Sequence, residues 1–312
     1  MLTFFTTAKP FKGHIAVIQR NALQSWKLLH PDVEIIVFGD DEGSAAVCSQ
    51  LGLRHEPHVE RTALGSNRVD YMFAKAQEIA RHDLLCYINC DIILPADFCL
   101  ALRLVRSTHP EFLLVGRRWD TDITQPIDFS HASWEQEVVP LARNADRQRD
   151  AWWIDYFAFS RGLYGTNVPP FAVGRTAWDN RLIWSALDQG KPVIDASPTL
   201  TAVHQNHDYG HHPQGKQGAW AGEEASRNLQ LSGGGAHLRS IADATEVLTS
   251  NGLKPNPYRR WSAFQHSAAA FGRFCHYQIW HPVWFAVLAV TRPLRTPLGL
   301  RSAELRKPRG KA

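Results

Sequence analysis

Within the apolar run Leu84-Leu85-Cys86-Tyr87-Ile88-Asn89-Cys90-Asp91-Ile92-Ile93-Leu94, two oxygen-bearing side chains stand one residue apart. The run reads as a buried strand. Side chains at i and i+2 of a strand share a face, so Asn89 and Asp91 are expected to aim at one spot. Burying a carboxylate is costly unless something satisfies it. A divalent cation carrying a diphosphate is one such partner, because hard cations take carboxylate and amide oxygens.

Other candidate groups lie downstream. His204-Gln205-Asn206-His207-Asp208-Tyr209-Gly210-His211-His212 gathers four of the chain's 15 histidines into nine residues. One reading is a zinc site on His204, His207 and Asp208, although no cysteine lies nearby. Residues 174–190 begin and end with glycine and carry a helical pattern, with Thr176 placed to cap the helix and Asp179 in its first turn. Asp155 sits between Trp153-Ile154 and Tyr156-Phe157, so it needs a cation, a donor or a substrate. An ion pair with Arg161 or Arg175 would suffice; binding of substrate hydroxyls is the functional alternative. Arg68, at the helix start Gly65-Ser66-Asn67-Arg68, could meet a phosphate together with the backbone amides there.

The elements that must position these groups follow from periodicity. Residues 2–7 read as a strand, followed by a loop at Lys9-Pro10-Phe11-Lys12-Gly13 and a helix through Ile15, Ile18, Leu23 and Trp26. Residues 33–38 form a second strand, ending at Gly39-Asp40-Asp41-Glu42-Gly43. A short helix at 44–51, a strand at 53–55, a helix over 66–82, the 84–94 strand, a helix at 96–107 and a strand at 112–116 continue the alternation. Such alternation predicts an α/β fold, a Rossmann-type, mostly parallel sheet with helices on both faces. Ligands in these sheets sit beyond the carboxyl ends of the strands, which places Asp40 and Asp91 on one rim. Neither a phosphate-loop lysine motif nor Gly-x-Gly-x-x-Gly follows the first strands, which argues against a P-loop kinase or an ordinary dehydrogenase.

The second half is less regular. Residues 119–160 scatter Trp119, Trp134, Trp152, Trp153, Tyr156, Phe157 and Phe159 among charges and read as loops that could platform a sugar. Gly233-Gly234-Gly235 marks a loop, and residues 250–258, with Pro255 and Pro257, read as a linker. The expected division is a domain over 1–250, in two halves, 1–118 and 119–250, then helices and a basic tail over 258–312.

The order strand, Asn-x-Asp, acidic helix, strand, histidine resembles nucleotide-sugar glycosyltransferases of the GT-A type, whose metal motif is Asp-x-Asp. The resemblance covers about residues 1–230 and extends to a bacterial and plant glycosyltransferase-like group carrying Gly-Arg-x-x-Trp-Asp-Asn and His-Gln-Asn-His-Asp-Tyr. It implies a GT-A-like fold, a nucleotide-sugar donor and a divalent cation, Mn2+ or Mg2+, on Asp91 with Asn89, His204 and His207. Asp40 would hold the nucleoside, with Arg68 at the donor phosphate. Asp179 or Asp155 would orient and deprotonate a glycan or lipid-linked acceptor. Two departures stand out: Asn89 replaces the first Asp, and Trp178 stands where the family usually has Glu.

Net charge is +4 over 312 residues, and its location is informative. Residues 291–312 hold seven Lys and Arg against one Glu, a balance of +6, which leaves −2 on the other 290 residues. A basic tail on a near-neutral body argues against a nucleic-acid-binding domain. The 12-residue apolar run Ile279–Val290 is too short to span a bilayer, which takes about 20 apolar residues. With tryptophans at its start and arginines after it, it suits an interfacial helix on an anionic membrane; packing on the domain is the alternative. Five cysteines without a Cys-x-x-Cys pair, and an N-terminus without signal-peptide features, lead us to expect a cytoplasmic protein, peripheral on the inner membrane face. A nucleotidyltransferase would share the sheet but should carry a fuller phosphate loop than Lys9, Lys12 and Gly13 supply; a non-catalytic carbohydrate-binding or scaffold protein is the other alternative.

Overall fold

A computed structural model describes all residues except 132, 145–146, 209–214 and 276–312. His211, His212, the expected interfacial helix and the basic tail therefore lie outside the described residues. The chain divides into two units, Met1–Arg259 and Arg260–Ala312.

The first unit opens with β1 (Leu2–Thr7), α1 (Gly13–Leu28), β2 (Glu34–Phe38), α2 (Ser44–Leu51) and β3 (Arg54–Glu56). Then come α3 (Val69–Ile79), β4 (Leu84–Ile88), the two-residue β5 (Ile92–Ile93), α4 (Asp97–Thr108), β6 (Leu113–Val115) and β7 (Arg118–Thr121). The second half adds α5 (Trp134–Asn144), β8 (Tyr156–Ser160), α6 (Trp178–Asp188), β9 (Val193–Asp195) and β10 (Ala202–Gln205). It closes with α7 (Gly215–Ala221), α8 (Glu223–Leu231), the hairpin β11 (Glu246–Thr249) and β12 (Gly252–Pro255), and α9 (Arg259–Cys275), which runs into the second unit.

Nine strands form the main sheet in the order β12-β11-β9-β6-β8-β4-β1-β2-β3. Only β8 and β12 run against the rest, so the mostly parallel α/β fold expected from the alternation is present. Both faces are covered. Along β4, Leu84, Cys86 and Ile88 pack into one core cluster, while Leu85 and Tyr87 pack into the other. This is why the strand reads as an unbroken apolar run: side chains alternate between faces, and both faces are dry. Cys48, Cys86, Cys90 and Cys99 are buried free thiols.

Three expectations need correction. The 84–94 run is not one strand; a turn at Cys90-Asp91 breaks it between β4 and β5. The aromatic stretch read as loops supplies β7, α5 and β8. Residues 250–258 are no linker, since β12 pairs there with β11 at the sheet edge.

The site is built where a second, three-stranded sheet in the order β5-β10-β7 meets the rim of the first. Among the described residues no helix is long and apolar enough to cross a membrane. On α9, Trp261 and Phe264 stack with ring centroids 5.6 Å apart.

Candidate active site

A cavity of about 640 Å³ opens beyond the carboxyl ends of β1, β2 and β4. Lys9 reaches it just after β1, Asp41 after β2, and Asn89 and Asp91 after β4. Because β8 runs against β4, with Ile88 opposite Tyr156, the residue before β8 arrives at the same rim. That residue is Asp155, whose backbone carbonyl accepts from the Asn89 amide at 2.9 Å.

Asp91 is the centre of one group. Its Oδ2 lies 3.1 Å from His207 Nε2 and 3.8 Å from His204 Nε2. The ligand atoms of these three residues all fall within 4.8 Å of one another. The convergence has a visible scaffold. Buried Gln205, between the histidines in sequence, donates its backbone amide to the Asp91 carbonyl at 3.1 Å and its side-chain amide to the Ile18 carbonyl at 2.8 Å. Asn21 of α1 donates to Gln205 Oε1 at 2.9 Å, and Trp26 Nε1 donates to the Ile92 carbonyl at 2.7 Å. The turn carrying Asp91 is thereby tied to α1.

Burial by itself pushes the Asp91 carboxyl up. The His207 hydrogen bond, then His204 and Lys9, outweigh it and hold the group well below the usual carboxylate range. Asp91 Oδ1 is buried without a hydrogen-bond partner. A buried acceptor left open needs a donor or a cation. One open carboxylate oxygen beside two imidazoles suits a small divalent ion, with ligand bonds of about 2.0–2.2 Å, after modest side-chain adjustment.

His204 is gripped from both sides. Its Nδ1 lies 3.3 Å from Asp120 Oδ1, not aligned for a hydrogen bond. A carboxylate behind a ligating imidazole fixes the ring and raises its basicity. Asp120 also accepts from Arg118 Nε at 2.9 Å and from Arg149 Nε at 2.5 Å.

Asn89 lies between the end of β4 and the turn that carries Asp91. Its Nδ2 donates to Asp155 Oδ1 at 2.8 Å, and its Oδ1 accepts from Tyr87 at 3.2 Å. It lines the cavity, as Asp91 does. Asp208 of the zinc reading is outside the three-residue ligand group, in which Asp91 stands in its place. Asp155 pairs with neither Arg161 nor Arg175. Its Oδ1 accepts from Arg118 Nη1 at 2.8 Å, and its Oδ2 is buried without a partner. Arg161 instead donates to the carbonyls of Gln77, Ala80 and His82, and Arg175 pairs with Glu224.

Two expected donor contacts lie off the cavity wall. Asp40 is 72% exposed and pairs with Arg61 at 2.5 Å, while its neighbour Asp41 lines the cavity with Arg61. Arg68 is not a lining residue; Glu60 and Asp70 engage its guanidinium. Asn67, next to it, does line the cavity, donating to Thr7 Oγ1 at 2.6 Å with its own Oδ1 buried and unpartnered.

Asp179 lies at the start of α6 in the same cavity. Thr176 does not cap that helix. Ala177 is the N-cap residue, with a left-handed φ of 82°, and makes no side-chain cap. Strain of this kind in a non-glycine residue persists only where its surroundings impose it. Trp178 is buried edge-on against Tyr87 with centroids 5.2 Å apart. Asp179 accepts from the Asn180 amide at 2.9 Å. Desolvation raises its pKa to about 7, the Asn180 bond opposes the rise, and the negative Asp155 adds to it.

Sequence reasoning passed over Asp120, Arg118 and Lys9 as site residues. Lys9 was visible as a loop lysine after β1. Its position is fixed by buried Gln19, which accepts from the Lys9 amide at 2.6 Å and donates to its carbonyl at 2.8 Å. Lys9 Nζ lies 3.3 Å from His207 Nε2. The Asp120 signal, an Arg-x-Asp on a short strand, is too common to read without coordinates.

No protein-family model and no curated protein matches this sequence. Solved structures similar in fold include glucosyl-3-phosphoglycerate synthase of Mycobacterium tuberculosis (TM-score 0.47, 13% identity, 75% of this chain and 81% of that one). The same enzyme with Mn2+, uridine diphosphate and phosphoglyceric acid aligns with a TM-score of 0.43 at 16% identity, over 75% of this chain and 79% of that one. Residues 1–349 of TarS from S. aureus give a TM-score of 0.40 at 10% identity, covering 66% of this chain but only 58% of that one.

Proposed function

We propose that this protein is a metal-dependent glycosyltransferase that moves a sugar from a nucleotide-sugar donor to a hydroxyl acceptor. The observation that carries the proposal is the meeting of Asp91, His204 and His207 at a strand rim, with Lys9 beside them and Asp179 on the same cavity. A divalent cation and the Lys9 ammonium in one place repel each other unless a polyanion joins them. A nucleoside diphosphate is such a polyanion. Asp91, His204 and His207 would hold the cation, which supplies Lewis-acid stabilisation of charge on the leaving diphosphate. Lys9 would carry part of that same charge from the β1 side. Asp41, after β2, is the candidate for the nucleoside in place of Asp40, and Asn67, in the loop before α3, is the candidate for the donor phosphate in place of Arg68.

Asp179 would act as the base. The acceptor oxygen forms a bond to the anomeric carbon as its proton passes to Asp179, and the bond to the diphosphate oxygen breaks with its electron pair. A pKa near the working pH suits a base for this step. Asp155, locked between Asn89 and Arg118, would orient hydroxyls through its open Oδ2 and keep Asp179 basic. Thermal-shift measurements with UDP, GDP and CMP, each with and without Mn2+, test the proposal. At least one nucleotide should stabilise the protein only when Mn2+ is present, and Asp91→Ala should remove that effect; stabilisation equal with and without the metal, or retained in the variant, would rule it out.

A further inference from the structure

One wall of the cavity is aromatic. Trp152 and Trp220 line it with their rings 50% and 41% exposed. Between them in role is Trp153, a fixed floor. The Arg118 and Arg149 guanidinium carbons lie 4.9 Å and 5.0 Å from its ring centroid, and the Trp220 ring lies 4.9 Å from it. An exposed apolar surface inside an otherwise polar cavity marks a ligand contact. Beside it, Asp155 is 5% exposed with Oδ2 unpartnered. A carboxylate oxygen accepts hydrogen bonds and donates none, so its missing partner is a donor such as a hydroxyl.

The charges narrow the ligand further. Three guanidiniums line the cavity: Arg61, Arg118 and Arg175. Each is already paired with a carboxylate, Arg61 with Asp40, Arg118 with Asp120 and Asp155, and Arg175 with Glu224. Arg118 and Asp120 are also buried. Among the described lining residues only Lys9 has no carboxylate within salt-bridge distance, and it faces the Asp91 centre. An anionic acceptor would therefore meet the negative Asp155 with no cation set aside for it.

We infer that the acceptor is a neutral pyranoside, seated with its apolar ring face on Trp152 and Trp220 and donating a hydroxyl to Asp155 Oδ2 next to Asp179. The inference rests on the glycosyltransferase assignment only for the word acceptor; the subsite itself is a claim about binding. Its test is saturation-transfer NMR on the full chain with UDP and Mn2+ present. The probes are the methyl α- and β-pyranosides of glucose, galactose, mannose and N-acetylglucosamine, with 3-phosphoglycerate as the anionic control. At least one neutral pyranoside should bind, with transfer strongest at its ring C–H protons, and 3-phosphoglycerate should neither bind nor compete. Trp152→Ala and Trp220→Ala should each weaken binding about three- to tenfold, and Trp152→Phe and Trp220→Phe should restore most of it.

Binding of none of the pyranosides, competition by 3-phosphoglycerate, or unchanged affinity in both alanine variants would overturn the inference. So would alanine variants that lose stabilisation by a UDP-sugar while keeping that by UDP, because the platform would then hold the donor sugar. Stabilisation by UDP and Mn2+ on the same samples reports that the variants are folded. Absence of Mn2+-dependent stabilisation by any of UDP, GDP and CMP in the unmodified protein would sink the glycosyltransferase assignment, whereas its presence without pyranoside binding would sink only the subsite.

Discussion

Two aspartates on one cavity are driven in opposite directions. At the turn after β4, Asp91 is surrounded by His207, His204 and Lys9 and stays ionised far into acid. At the start of α6, Asp179 has burial and a neighbouring carboxylate for company, and its pKa rises to about 7. The side chains are chemically identical, so the difference lies wholly in what the fold puts beside each. One region keeps its charge into acid, while the other is poised to take and give up a proton near neutrality. Pairs of titratable groups pushed apart in this way are a common mark of divided catalytic labour.

Breaking the first region should have the largest effect. Asp91→Ala should lower transfer about 10²- to 10³-fold or more, measured with saturating Mn2+ and donor, because the leaving charge loses its anchor. Near-normal turnover in that variant would erase the contrast. Asp179→Asn should cost about 10²- to 10⁴-fold in kcat, as loss of a general base does. In the unmodified enzyme kcat should climb as pH rises through about 7, and the asparagine variant should lose that limb. A pH profile identical in both proteins would remove Asp179 from the proton step.

The contrast also reaches stability. A carboxyl whose folded pKa is raised binds its proton more tightly in the folded than in the unfolded chain. Its stabilising contribution is complete below the unfolded pKa of about 3.9 and is lost as pH rises through about 7. Asp179→Asn should therefore raise Tm relative to the unmodified protein at pH 8 and do so less at pH 5, a gain in stability at the expense of activity. Equal Tm differences at both pH values would contradict a raised pKa. The smallest effect expected is that of Asp120→Asn. Relaxing the ring of His204 should weaken Mn2+ binding about 10- to 100-fold, read by calorimetry, with the fold retained.

The sheet was easier to read than the site. In the first half each strand is buried on both faces and each helix carries a single apolar stripe, so β1 through α4 follow the periodicity of the chain. The second half hides its elements for identifiable reasons. Pro140 sits inside α5 and interrupts its helical pattern. The strand β8 is five residues of Tyr, Phe, Ala and Ser buried on both sides, without polar alternation to mark it. Asp91, His204 and His207 were legible because types with metal-binding chemistry recur along the chain. The single strand expected over 84–94 was misread because its apolar run continues through a turn at Cys90-Asp91. The partners Arg118 and Asp120 were not legible at all. Their placement depends on β7 pairing with β10, a contact some 80 residues apart in the chain.

The reversed direction of β8 has a further consequence. A parallel strand presents only its trailing loop at the ligand rim, yet here the polypeptide also enters that rim from the front, through the segment ending at Asp155. The stretch from β7 to β8 is no free appendage, however. Its Ile123, Trp134, Val138 and Ala142 pack in one cluster with Ile93 of β5 and Val203 of β10. Asn21, which holds Gln205, is bonded by Gln125 and Ile127 of the same stretch, so a change there is felt at the turn that carries Asp91.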